Sequence, residues 1–258
     1  MSSIMSESHI SFGDIRFVTS RPHSFGLVID GIAIDGAANA PEDYLHQLLL
    51  SPEHRDAFFA LIEIEGLVIC KNVRSDSPTY RKVRGKSSTV KLSQAEYYHH
   101  DGCSSPTKPR VVEIRFPHQD VARDVATAIA PFPVVIRAML MALPEHMMKD
   151  SELVAFRHLF SRSVASYPSP ETWDHIQGKV TRMVRKEMDA EACRTYFRAV
   201  DQMADAYVKP WEMGESRLVL NWHRDLNRTF QHRRAYQRPR EALEQNGSLV
   251  KRWTAEEA

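Results

Sequence analysis

Three features of this 258-residue chain predict a mixed α+β fold built on a β core. Short apolar runs of strand type stand near the start, in the middle and at the end, separated by helix-type stretches, and a long helical tract precedes the last strands. Hydrophobic residues make up 43% of the chain, enough for a sizeable core. Only 10 glycines are present, which suits a compact sheet with helical elaboration better than a loop-rich sandwich.

The elements follow in order. Residues 14–32 (DIRFVTSRPHSFGLVIDGI) read as two short strands broken by Pro22. Pro41 opens a helix running into LHQLLL, and Pro52 opens a second through HRDAFFALIEIE, because proline suits the first helical turn. Gly66 stops the second helix, and LVICKNV (67–73) reads as a buried strand. Residues 75–96 are polar and basic, carry no clear period, and read as a loop. RVVEIRF (110–116) alternates as a strand does, Val125–Ala130 is another strand, and a helix runs from Pro133 to about Leu143. Residues 150–209 are mostly helical in pattern, through LVAFRHLF, WDHIQGKVTRMV and AEACRTYFRAVDQMADAY. Leu218–Trp222 and Leu249–Trp253 read as late strands.

Composition narrows the function. Lys+Arg number 34 and Asp+Glu 33, so no excess of positive charge points to a nucleic-acid partner. The aromatic residues are scattered and do not alternate with basic ones as in a single-strand groove. Cys70, Cys103 and Cys193 are far apart, with no CxxC, which argues against a disulfide framework or zinc ribbon and for a reducing cytoplasm. The start, MSSIMSESHI, lacks the basic and apolar regions of a signal peptide. The apolar run Val134–Leu143 is broken by Arg137 and is too short to span a bilayer, so no membrane partner is expected.

Chemistry concentrates in YYHHDG (97–102). In an extended segment His99 and Asp101 share one face and His100 takes the other. A histidine and a carboxylate so placed can grip one metal ion from one side, or they can form an ordinary polar turn. Two histidines and a carboxylate on one face of an octahedron leave three positions open, the arrangement of non-haem Fe(II) oxygenases. A third ligand must come from elsewhere.

The segment Asn227-Arg228-Thr229-Phe230-Gln231-His232, taken with EGLVICKNV (65–73) and the late LVKRWT, resembles the taurine dioxygenase-like branch of the Fe(II)/2-oxoglutarate oxygenases. That branch includes clavaminate synthase and carbapenem synthase. Its members carry an HxD/E before the middle of the chain and a distal histidine a few residues after a D-N-R segment. Here the NRxxxH spacing is kept, whereas Leu226 stands where the family has Asp, and Asp225 lies one earlier. Asp101 and His232 are 131 residues apart, room for core strands and an insertion. The resemblance implies His99, Asp101 and His232 as ligands of Fe(II). His223, in NWHRD, is the competing distal ligand, and His100 falls beside the site or in the substrate pocket.

The resemblance also implies 2-oxoglutarate as cosubstrate, with O₂. Its distal carboxylate needs a fixed cation, and a guanidinium can meet it in bidentate fashion. Arg252, 20 residues after His232, matches the family's late-strand arginine, and Lys251 is the alternative. Thr127, 26 residues after Asp101, stands where the family places a threonine on the same carboxylate, although the usual preceding glycine pair is absent. Arg228, Arg233 and Arg234 surround the distal histidine as active-site or plain surface charges. Tyr97, Tyr98 and the stretch Lys82–Lys91 could line or cover the pocket.

The implied architecture is a distorted double-stranded β-helix, or jelly roll, flanked by helices. It forms a single domain over 1–258 with a mostly helical insertion at about 145–210. The implied reaction oxidises an unactivated C–H bond of a small molecule, an amino acid or a derivative of one, and hydroxylation is the default outcome. Desaturation, ring closure and epimerisation also occur in the branch. A halogenase is disfavoured, since Asp101 supplies the carboxylate halogenases lack. Two other readings stand beside this one: a zinc hydrolase on a jelly roll, and a binding protein of the same fold without activity.

Overall fold

The computed structural model describes residues 8–13, 15–33, 44–73, 81–82, 97–101, 108–115, 125–162, 169–212, 214–236 and 249–253. The fold mixes helices with two sheets.

The chain opens with β1 (Ser8–Phe12), β2 (Ile15–Ser20) and β3 (Leu27–Ala33). Two helices follow, α1 (Tyr44–Leu50) and α2 (Pro52–Glu65). Pro52 sits in the first turn of α2, and Gly66 ends it in the left-handed region at φ 72°. A Cβ at Gly66 would overlap the Phe230 ring, so glycine is required there on two counts. Next come β4 (Leu67–Lys71), the short β5 (Arg81–Lys82), β6 (Val111–Arg115) and β7 (Val125–Pro131). A helical stretch holds α3 (Phe132–Met141), α4 (Ser151–Arg162), α5 (Pro170–Glu187) and α6 (Ala190–Met203). The described chain closes with β8 (Tyr207–Pro210), β9 (Ser216–Leu220), β10 (Phe230–Tyr236) and β11 (Leu249–Trp253).

The larger sheet has eight strands in the order β1-β2-β3-β4-β9-β6-β11-β5, and the smaller has three, β10-β7-β8. All pairings are antiparallel except β3 with β4. Period-two alternation sorts β10 between two cores. Phe230 joins a core made with β3, β4, β9 and α2. Gln231 and Arg233 point the other way and bond to Gln177 of α5 and Asp201 of α6. The same division runs along β7: Ile129 belongs to the first core, and Ala128 and Ala130 to the second, under α3, α5 and α6. The smaller sheet is thus packed on both faces. Its His232 face meets the larger sheet, because Arg217 of β9 donates to the Lys209 and Pro210 carbonyls of β8 at 3.2 and 2.9 Å.

The structure corrects or extends the reading of the sequence at four places. The two strands read over 14–32 and broken at Pro22 are present as β2 and β3, and β1 precedes them, paired with β2 across a turn at Gly13, φ 58°. Residues 207–210, read as the end of a helical tract, form β8, since pairing with β7 overrides a weak local pattern. The segment around His232 is a seven-residue strand, β10. Leu218–Trp222 is shifted to Ser216–Leu220, so Trp222 lies beyond the strand. The start of the helix at Pro41 and most of the loop at 75–96, including Lys91, lie outside the described residues.

Candidate metal centre

His99 does not lie on a long strand. It forms an isolated antiparallel bridge with His232 of β10, in which His99 N donates to His232 O at 3.1 Å and His232 N donates to His99 O at 3.3 Å. Bridge partners present their side chains on the same face, and the two imidazole centroids stand 4.6 Å apart. Asp101, two residues on, returns to that face. Its Oδ1 lies 3.8 Å from His99 Nε2 and its Oδ2 lies 3.8 Å from His232 Nε2. One ligand atom from each residue lies within 4.8 Å of the other two. The His99 side chain is 40% exposed and that of His232 is 8% exposed, so the centre opens to solvent on the His99 side.

The surroundings suit a cation. His99 Nδ1 lies 2.8 Å from the Tyr97 carbonyl oxygen. A carbonyl only accepts, so Nδ1 carries the proton and Nε2 presents its lone pair toward Asp101 and His232. The main chain of Asp101 is held on both sides by Asn221: Asp101 N donates to Asn221 Oδ1 at 2.7 Å, and Asn221 Nδ2 donates to Asp101 O at 3.1 Å and Pro109 O at 2.9 Å. Two imidazoles and one carboxylate, converging from separate segments, are a donor set for a divalent transition metal.

His100 points away, as the alternation requires. It is buried against Phe132 and Trp222, with ring centroids at 4.9 and 5.8 Å. Burial above all, and then the neighbouring histidines, push its pKa down to about 3. It is a neutral packing residue on the helix side of the bridge. His223 also turns elsewhere: Asp225 N donates to its Nδ1 at 3.0 Å, and its Nε2 lies 3.8 Å from Glu63.

The structure places the remaining candidates as follows. Thr127 is buried on β7, two positions from Ile129, the partner of His232, and hence on the same sheet face. Its Oγ1 accepts from Trp211 Nε1 at 2.9 Å, leaving its own proton available to a ligand. Arg252 is on β11 of the larger sheet, opposite Val112, and Lys251 is opposite Glu113. Arg233 faces the helices and pairs with Asp201, and Arg228 is exposed and donates to the Glu63 carbonyl at 3.1 Å. Tyr98 is buried, and its hydroxyl donates to Asp201 at 2.7 Å. Tyr97 packs edge-on against Phe197 at 5.2 Å, so neither tyrosine lines an open pocket mouth. Asn221, Asp201 and Gln177 were not foreseen, because each acts across a long stretch of chain and no local pattern marks it.

No protein-family model and no curated protein sequence matches the chain. Among solved structures it is similar to PvcB, described as an Fe, alpha-ketoglutarate dependent oxygenase from an isonitrile synthetic pathway (TM-score 0.48, 12% identity, covering 96% of this chain and 94% of that one). It is also similar to a taurine dioxygenase from Burkholderia xenovorans (TM-score 0.45, 11% identity, 92% and 90%). A third is AAD-2 in complex with Mn(II) and N-oxalylglycine (TM-score 0.44, 12% identity, 92% and 97%).

Proposed function

We propose that the chain is an Fe(II)/2-oxoglutarate-dependent oxygenase of the taurine dioxygenase-like kind. In this reading it is a single jelly-roll domain with a helical insertion, acting on a C–H bond of a small molecule. The observation that carries the reading is the convergence of His99, Asp101 and His232 from two distant segments, with ligand atoms within 4.8 Å. A polar turn would not need His232, which lies in another part of the chain.

When bound, Fe(II) with 2-oxoglutarate and O₂ couples decarboxylation of the cosubstrate to succinate and CO₂ with insertion of one oxygen atom into the substrate. The protein's own part is to hold and orient. Tyr97 O fixes the His99 ring, Asn221 fixes Asp101, and the β10 ladder fixes His232. Asp101 supplies the one negative charge among the three donors and so balances half the charge of a divalent ion. Arg252 binds the distal carboxylate of 2-oxoglutarate, with the Thr127 hydroxyl as a second donor. The substrate is an amino acid or a metabolite derived from one, and hydroxylation is the outcome.

The test is anaerobic titration of the purified chain with Fe(II), then with 2-oxoglutarate. One Fe(II) per chain is expected, with a weak visible charge-transfer band on adding the cosubstrate. His99→Ala, Asp101→Ala and His232→Ala should each remove the band. Retention in His232→Ala with loss in His223→Ala would move the distal ligand. Succinate release against a panel of amino acids then identifies the substrate, whereas zinc-dependent hydrolysis without 2-oxoglutarate would replace the reading altogether.

A further inference from the structure

We infer that Asp201, on α6, is a positioning residue that sets both histidines of the metal centre. The inference rests on the metal-site reading above and deepens it. In extended chain, the residue next to a ligand points to the opposite face. Tyr98 precedes His99 and Arg233 follows His232, so both face the helices while the histidines face the larger sheet. One carboxylate ties these two neighbours together. Asp201 Oδ1 accepts from Tyr98 Oη at 2.7 Å and from Arg233 Nε at 2.9 Å, and Asp201 Oδ2 accepts from Arg233 Nη2.

The bridge between His99 and His232 consists of only two backbone hydrogen bonds, with no strand continuing on the His99 side among the described residues. Two bonds alone leave such a crossing free to twist, and a twist would swing the two imidazoles apart. A third tie behind the bridge removes that freedom. Asp201 is placed for it, because α6 packs against α3 and the second core, and Cys193, Phe197 and Val200 anchor the helix there. Tyr98 is 2% and Arg233 6% exposed, so the tie is shielded from water, where charge-assisted bonds are strongest. Burial disfavours the charged guanidinium of Arg233, and the Asp201 carboxylate more than offsets this, raising its pKa.

Asp201 is not a catalytic residue, since it acts through its two neighbours. Its removal should therefore loosen the metal without removing a ligand. The experiment titrates Co(II) into the whole chain anaerobically, records the visible spectrum of the bound ion, and measures thermal unfolding in parallel. The variants are Asp201→Ala, Tyr98→Phe and the double variant Asp201→Leu/Arg233→Met. The double variant removes both buried charges together, so no unpaired charge is left to unfold the chain. Outer-shell partners of metal ligands typically contribute about 10–100-fold in affinity. We expect the double variant to melt close to wild type, bind Co(II) about tenfold more weakly and show an altered Co(II) spectrum. Tyr98→Phe should shift affinity less, in the same direction. A folded double variant with wild-type Co(II) affinity and spectrum overturns the inference, whatever Asp201→Ala alone does. A wild-type chain that binds no Co(II), with His232→Ala indistinguishable from it, overturns the metal site itself.

Discussion

Arg252 and Lys251 are neighbours on one strand, so their backbone positions belong to opposite faces of the larger sheet. Arg252 stands opposite Val112, two positions from Ile114, which is itself opposite Arg217. Arg217 reaches the carbonyls of β8, so this face is the one turned to the smaller sheet and to His232. Lys251 stands opposite Glu113, on the other face, where Glu113 accepts from Ser216 and Arg115. Under the proposed function, Arg252→Ala should therefore weaken 2-oxoglutarate binding by about 30-fold or more, the equivalent of roughly 2–5 kcal/mol for truncating a buried charged pair. Lys251→Ala should leave it nearly unchanged. Isothermal titration of the Fe(II)-loaded protein decides, and equal affinities for Arg252→Ala and wild type would remove Arg252 from the site. At this scale much was legible. The HxD pair is a local pattern, and its geometry follows from strand alternation. His232 was reached by a spacing motif that survives the displaced aspartate. Asn221 and Asp201 were not legible: each bonds across more than 100 residues, and nothing in NWHRD or AVDQM marks a partner so far away.

One helix announced itself through both its ends, and others are closed by caps the sequence reading did not use. Pro52 and Gly66 bracket α2 in the sequence as they do in the fold. Ser169 and Asp189 cap α5 and α6 by accepting from Thr172 N and Ala192 N, at 3.3 and 2.9 Å. Asp189→Ala should lower stability by about 1 kcal/mol. The urea midpoint should fall with the slope unchanged, because the cap is lost without altering the surface buried. A midpoint equal to wild type would show that water replaces the cap without cost. Strands were less legible where pairing decides. TFQHRRAY reads as polar and basic, yet it forms β10 of the smaller sheet because the central strand β7 offers it a seven-residue ladder. Its Gln231 and Arg233 are polar residues in a buried strand, which period and hydropathy cannot anticipate. Their partners on α5 and α6 satisfy them. The tract YVKP was absorbed into a helical pattern for the same reason.

Across the whole molecule, the apolar strands could be read but strand order could not. β4 lies between β3 and β9, and β9 lies between β4 and β6, so the centre of the larger sheet joins segments from both halves of the chain. Cys70 sits in that centre, fully buried on β4. Burial above all, with Glu113 nearby, pushes its thiol well above the usual range, which suppresses the reactive thiolate. Peptide-resolved alkylation under native conditions should modify Cys70 only as fast as the entire sheet opens, and denaturant should accelerate it in step with global unfolding. Labelling at the rate of a free cysteine would mean that β4 detaches on its own. The bridge between His99 and His232 has one more consequence, in the order of biosynthesis. When Asp101 is added to the growing chain, 157 of the 258 residues are still to come (258 − 101). At ~5–20 residues per second, the first two donors wait roughly 7–26 seconds before the third exists. During that interval any passing ion meets only a histidine and an aspartate, a grip too loose to keep it. Under the proposed function, the choice of metal is therefore made after synthesis, by the finished sheet, from whatever the surrounding fluid then supplies.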